Sequence, residues 1–251
     1  MENLLIEDFY NKTVSELVVA DYRRAEVFKK FGVDFCCGGK RMIKEVCNKK
    51  SIDSLALFEE LIKIDHTSSE LQQQEFNNLS LDSLVDHIIN VHHKYVRENI
   101  PLLKEFTTKV ARVHGESFPE TVQIAQLFST VTTEMEQHML KEEQILFPYI
   151  KQIDATSKDQ TPNVQPLCGS INRLVRIMEN DHDQVGELMK HIHKLSSNFT
   201  SPNNACNTFR VSYLKLQEFE EDLHQHIHLE NNILFPKAID QGSKLLSNQR
   251  N

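Results

Sequence analysis

The sequence predicts an all-α fold in two parts, a small helical N-terminal domain followed by an up-down four-helix bundle. Three observations carry that expectation. Apolar residues recur at helical spacing through four long segments. Glycine and proline number seven each in 251 residues, and tryptophan is absent, a composition suited to helices joined by short turns. An eleven-residue pattern also occurs twice, in the second and fourth long segments.

Thr13, Val14, Ser15 and Glu16 form a capping-box pattern that opens an amphipathic stretch running to about Phe31, where Gly32 offers a stop. A second helix is expected after Gly39 and a third after Ser51. From Asp65 to Asn78 the chain is polar, repetitive in Gln and almost free of apolar residues, which reads as a linker. The expected boundaries are therefore 1–65 for the small domain, 66–79 for the linker and 80–241 for the bundle.

Beyond the linker, helical periodicity covers Ser80 to about His114, Pro119 to about Tyr149, Pro166 to about Lys194 and Asn203 to about Ala238. Gly115 and the turn at Ser201, Pro202 and Asn203 punctuate them. Pro101 falls inside the first segment and should kink or split it, because proline removes one helical hydrogen bond.

Bulk properties narrow the function. A net charge of −8 argues against a nucleic-acid partner, which calls for clustered Lys and Arg. No window approaches the ~20 apolar residues of a membrane span, and the opening residues carry neither the basic flank nor the apolar run of a secretory signal. Five cysteines, Cys36, Cys37, Cys47, Cys168 and Cys206, are an odd number without framework spacing and suit a reducing cytoplasm.

The repeat carries the chemistry. His138 to Pro148 and His226 to Pro236 share the order H-x-x-x-E-x-x-I-L-F-P, and histidine and glutamate at i and i+4 project from one helix face. A single such pair on a solvated face is ordinary. Here both lie on apolar stripes: Val131, Met135, His138, Glu142 and Ile145 in one copy, Phe219, Leu223, His226, Glu230 and Ile233 in the other. Burying two unpaired carboxylates costs several kcal/mol each, so a cation must meet them.

The other two helices supply further donors. His182 shares a stripe with Val175, Met178, Val185 and Met189, and His93 shares one with Val85, Ile89, Val96 and Ile100. Either alone reads as a satisfied core histidine. Periodicity leaves His92 open as well, because Leu84, Ile88 and Tyr95 share its face. One histidine per helix with two carboxylates suits a pair of iron ions; zinc, which prefers four tetrahedral ligands, fits less well.

The runs Asp34-Phe35-Cys36-Cys37-Gly38-Gly39-Lys40, Asp86-His87-Ile88-Ile89, Met139 to Pro148, Asp181-His182-Asp183 with Gly186-Glu187, and Leu229 to Asn232 resemble the RIC (repair of iron centres) family over roughly residues 10 to 240. That resemblance implies a hemerythrin-like bundle and the ligand set His93, His138, Glu142, His182, His226 and Glu230, with His93 preferred to His92. Two non-haem irons, oxo- or hydroxo-bridged, would lie between the glutamates. The implied role is repair of iron-sulfur clusters damaged by nitric oxide or peroxide. The partners would be damaged iron-sulfur proteins, with no nucleic acid and no membrane, and a homodimer is an open assembly state. Hemerythrins place another histidine four residues after the third-helix ligand, where this chain has Gly186. Fewer protein donors suit an iron donor, or a redox enzyme reducing nitric oxide or peroxide, better than a sealed oxygen carrier.

In the small domain, Cys36 and Cys37 precede a predicted helix, and residues 22–50 hold nine Lys/Arg against three Asp/Glu. Positive surroundings and a helix N-terminus lower a thiol pKa. The plain reading is a glycine turn with two small buried residues; the family resemblance favours a redox-active or metal-contacting pair. Cys47, Cys168 and Cys206 read as structural. His66, His87, His92, His114, His191, His193, His224 and His228 read as surface residues or supports of the ligands.

Overall fold

The structure, a computed structural model, describes residues 9–65, 73–159 and 168–249. The backbone clusters into two units, Met1–Ser80 with Ile227–Lys237, and Leu81–His226 with Ala238–Asn251. Among the described residues both are helical, and the one β-type pairing is an isolated bridge between Thr13 and Met42. No helix of the described residues is long and apolar enough to cross a membrane.

In the first unit, α1 (Val14–Ala20) starts with the expected capping box: the Thr13 side chain accepts the Glu16 N–H, and the Glu16 carboxylate accepts the Thr13 N–H at 2.6 Å. The stretch expected to continue to Phe31 is instead two helices, α1 and α2 (Arg24–Lys30). Asp21 separates them. Its backbone is extended and its carboxylate accepts the Arg23 N–H at 3.0 Å, a local bond that competes with helix continuation. Gly32, at φ +65°, follows α2 in the conformation that favours glycine.

Helices α3 (Ile43–Lys50) and α4 (Ser54–Asp65) complete this part, with Val14, Val18, Phe28, Ile43 and Leu57 fully buried. The run expected as a linker ends in a short helix, α5 (Gln73–Asn78). The Asn77 amide donates to Val19 O at 2.9 Å, and the Lys237 ammonium donates to Asn77 O at 3.0 Å and Leu79 O at 2.6 Å. Residues 73–79 are thus held in place rather than coiled; residues 66–72 lie outside the described part.

The four bundle helices are α6 (residues 81–114), α7 (120–159), α8 (Cys168–Leu195) and α9 (207–249). Helix α7 packs against both α6 and α8, and its Phe128 meets Phe219 of α9 edge-on at 5.4 Å. Pro101 does not split α6: regular α-helix runs through it from Lys94 to His114. Pro101 and Arg97 are both exposed, so the carbonyl that proline leaves without a donor can meet water. The departure from α geometry falls upstream, at Ile88–His93.

Helices α7 and α9 also run well past Tyr149 and Ala238, where the sequence pattern placed their ends. Each contains a π-helical turn, Glu142–Leu146 in α7 and Glu230–Leu234 in α9, after which Phe147–Asp159 and Phe235–Gln249 resume α geometry. Pro148 and Pro236 fall in the first turn of the resumed helix, where a missing N–H is tolerated.

Candidate metal centre

Three of the four bundle helices widen where a candidate ligand sits. In α6 the Lys94 N–H reaches back five residues to Ile89 O, in α7 Phe147 reaches Glu142 O, and in α9 Phe235 reaches Glu230 O. Such π turns insert one residue into the helix and recur at functional sites because they re-aim side chains without breaking the rod. One consequence corrects the apolar stripe drawn through α7: Ile145 is exposed and Leu146 is buried, since the turn shifts the register after Glu142.

The wall so formed is sealed. His93, His138, Glu142, His182, His226 and Glu230 are each at most 1% exposed. Their donor atoms form two groups, His93 and His226 with Glu142 and Glu230, and His138 and His182 with the same two glutamates, within each of which all atoms lie inside 4.8 Å of one another. Glu142 Oε2 is 3.3 Å from His93 Nε2 and 3.2 Å from His138 Nε2, so a single carboxylate oxygen faces a histidine from each group. His138 Nε2 and His182 Nε2 face each other at 3.0 Å. Glu230, one turn beyond His226, reaches the same place at the start of the π turn of α9.

This donor set fits a cation. Two carboxylates and four imidazoles in a water-excluded core would carry a heavy desolvation cost without a positive partner, and mixed nitrogen and oxygen donors suit iron. The two groups share both glutamates.

The histidines are also held from behind, by residues that the sequence reading did not single out. His93 Nδ1 lies 2.6 Å from Glu143 Oε1, which accepts a further bond from the Arg97 guanidinium at 2.6 Å. Burial of Glu143 works against ionisation, but His93 and Arg97 outweigh it and keep the carboxyl below the usual range. Asp181 stands 3.6 Å from His138 Nδ1 and accepts from Lys141 at 2.8 Å. The nearby His138 ring, with Lys141 beside it, holds the Asp181 carboxyl down at about 2 against the effect of burial. A carboxylate behind an imidazole fixes the tautomer and leaves the other nitrogen free to bind a metal.

The structure places His93, not His92, in the cluster. His92 is buried nonetheless, stacked parallel on His226 at 5.6 Å with its Nδ1 2.9 Å from Asp222; the widened turn lets two consecutive residues face inward. His228 is likewise 2% exposed, and burial pushes its pKa down to about 4. Neither is the surface residue the pattern allowed. His193 pairs with Glu220 at 2.9 Å, and His114 Nε2 lies 3.1 Å from Cys206 Sγ. His66 lies outside the described residues.

In the small unit, Cys36 and Cys37 sit in a loop, with the next helix, α3, starting only at Ile43. The expected lowered thiol pKa does not hold for Cys36. The neighbouring Cys37 thiol, burial and the Asp34 charge all push it up, because the basic residues counted along the chain are not the groups that surround it. Asp34 Oδ1 accepts the N–H groups of Cys36, Cys37 and Gly38 at 3.2, 3.0 and 3.1 Å, and Asp34, Cys36 and Cys37 together form a third group of candidate ligands. Cys36, Cys37, Cys47 and Cys206 are free thiols.

Comparison with known proteins adds to this geometry. Residues 84–238 match the hemerythrin HHE cation binding domain family, and residues 10–65 match ScdA_N, a domain of unknown function. The chain is 37% identical over 235 residues to the iron-sulfur cluster repair protein YtfE of Yersinia pestis (strain Pestoides F), covering 92% of this chain and 98% of that protein. It shows the same identity and coverage to the protein of that name from Yersinia pseudotuberculosis serotype IB (strain PB1/+).

Proposed function

The chain belongs to the repair-of-iron-centres (RIC) family, and from that membership and the buried His/Glu cluster we propose that it restores iron-sulfur clusters damaged by oxidative or nitrosative stress, by donating iron. The observation that carries the reading is the pair of donor groups sharing Glu142 and Glu230. His93 and His226 would hold one iron and His138 and His182 a second, with Glu142 and Glu230 open to both; such a non-haem di-iron centre, oxo- or hydroxo-bridged, would supply a transferable ion and a redox couple.

The protein's own groups then divide the work. Glu143 keeps His93 in one tautomer and Asp181 places a negative charge behind His138, so that Nε2 rather than Nδ1 would meet the ions. Six protein donors for two ions leave positions open, and a site of that kind retains iron less tightly than one fully enclosed by protein. The acceptors are damaged iron-sulfur proteins of the cytoplasm. Cys36 and Cys37 contribute a thiol pair to the transfer.

The test is recovery of an acceptor enzyme whose cluster has been damaged by nitric oxide or peroxide, incubated anaerobically with iron-loaded protein. Recovery well beyond that given by an equal amount of ferrous salt supports the reading. Recovery no better than the salt contradicts it, and catalytic consumption of nitric oxide or peroxide without recovery would assign the centre to a reductase instead.

A further inference from the structure

Residues 227–237, which carry Glu230, group with the first unit, whereas the other five candidate ligands lie in the second. Glu230 opens the π turn of α9, so whatever fixes that turn also fixes the carboxylate. A side chain of the same turn, Asn232, is tied down from outside the helix. Its Nδ2 donates to Phe35 O at 3.3 Å and to His228 Nδ1 at 3.0 Å. Both hydrogens of the amide are thereby used, one on the peptide that leads into Cys36 and one on the preceding turn of α9.

Both partners of Asn232 are themselves held. His228 is 2% exposed, with its ring 5.2 Å from that of Tyr22 and 6.4 Å from that of Phe35. Tyr22 and Phe35 meet edge-on at 6.1 Å. On the loop side, the Ser15 N–H donates to Gly39 O at 2.8 Å, which ties the loop to α1, and α1 packs against the π turn. A Cβ at Gly39 would stand 2.6 Å from Phe35 O, 3.1 Å from the Ser15 Cβ and 3.3 Å from Asn232 Oδ1. Glycine at this position is what lets the loop, α1 and Asn232 close on one another.

We propose that Asn232 is a positioning residue for Glu230: by joining the Phe35 carbonyl to the π turn, it makes the conformation of the loop around Cys36 and Cys37 set how firmly Glu230 holds iron. While Phe35 O stays on the amide, the turn is fixed and Glu230 stays on its ion. When the loop withdraws, the turn loosens and the ion loses part of its hold on one side. The change consists of hydrogen bonds alone and consumes no oxidant or reductant. It gives an iron donor a control over release that its ligand set by itself does not contain. The inference rests on the reading above only in taking Glu230 as an iron ligand; delivery to a damaged cluster does not enter it.

The test is the rate at which a chelator removes iron(II) from anaerobic, iron-loaded full-length protein, with Tm measured alongside. Asn232→Leu should speed removal about tenfold. Asn232→Asp, which keeps the shape but has no hydrogen to give Phe35 O, should speed it as well. Lys237→Met separates positioning from general loss of stability. It removes bonds to Asn77 O and Leu79 O from the same segment, and should lower Tm by a similar amount while leaving removal near the wild-type rate. Gly39→Ala disturbs the contact from the loop side, so it should speed removal in the wild-type background and add little to Asn232→Leu. Wild-type rates in both Asn232 variants, an equal acceleration in Lys237→Met, or full additivity of Gly39→Ala with Asn232→Leu would overturn the proposal. Chelation reports how iron is retained, so its outcome is distinct from that of cluster recovery, which reports where the iron goes.

Discussion

His93 and Glu143 lie on different helices of the bundle, yet their side chains meet at 2.6 Å between Nδ1 and Oε1, and Arg97 closes on the same carboxylate oxygen. Glu143 therefore fixes the ring that reaches Glu142 from its other edge. Replacing Glu143 by Ala should leave the fold intact and speed iron loss to a chelator by about 10–100-fold. Arg97→Ala should have a smaller effect, because Arg97 acts only through Glu143. Equal chelation rates for wild type and Glu143→Ala would mean that His93 needs no support.

Glu142 and Glu230 belong to both donor groups, so in the proposed di-iron centre removing either would take a ligand from two ions at once. Glu142→Ala or Glu230→Ala should lower iron content more than His92→Ala, whose ring stacks on His226 without joining either group. Elemental analysis of the three variants decides the point. Loss of iron in His92→Ala with retention in His93→Ala would show that the wrong neighbour has been chosen.

That these histidines and glutamates come together was largely legible in the sequence, and the residues behind them were not. An i, i+4 pair on an apolar stripe needs only the helical period, and its repetition singled out His138, Glu142, His226 and Glu230. Glu143 and Asp181 escaped because each sits next to a proposed ligand in sequence but acts on a histidine of another helix, a relation that only packing creates. The π turns were hidden too. In α7 and α9 their trace in the sequence is the proline two residues after the turn, at positions 148 and 236; the turn at Ile88–His93 has none. In the small domain, counting charges from residue 22 to 50 misjudged Cys36, whose immediate neighbours are Cys37 and Asp34. Asp21 broke a helix that periodicity alone would have continued.

His228 gives the protein a pH dependence separable from its metal chemistry. Burial depresses its pKa from 6.5 to about 4, so the unfolded chain takes up its proton first as the solution acidifies. The stability associated with neutral His228 is fully present above about pH 6.5 and is lost as pH falls through the window from 6.5 to 4, at up to about 1.4 kcal/mol per unit and about 3 kcal/mol in all. Protonation of the other histidines is common to wild type and variant. Denaturant titrations of wild type and His228→Gln should therefore differ by an amount that shrinks as pH falls across this window. A difference constant with pH would mean that His228 is charged in the folded protein.

All six proposed ligands lie after residue 79, so a fragment starting at Leu81 should still bind two irons. It should be less stable than the full chain, because residues 227–237 lose the bonds from Lys237 to Asn77 O and Leu79 O and from Asn232 to Phe35 O. At about 1 kcal/mol each, their loss should lower Tm by roughly 5–10 °C. A fragment that folds but binds no iron would move the boundary of the metal domain into the first eighty residues.

The central claim is that Glu142 and Glu230 bridge two irons, and counting metals in the intact protein tests it most directly. Protein purified anaerobically and then oxidised should contain close to two irons per chain, show the near-ultraviolet absorption of an oxo- or hydroxo-bridged pair, and give a Mössbauer spectrum of coupled high-spin ferric ions with no net spin. One iron per chain, an uncoupled ferric signal, or stoichiometric zinc in place of iron would contradict the claim.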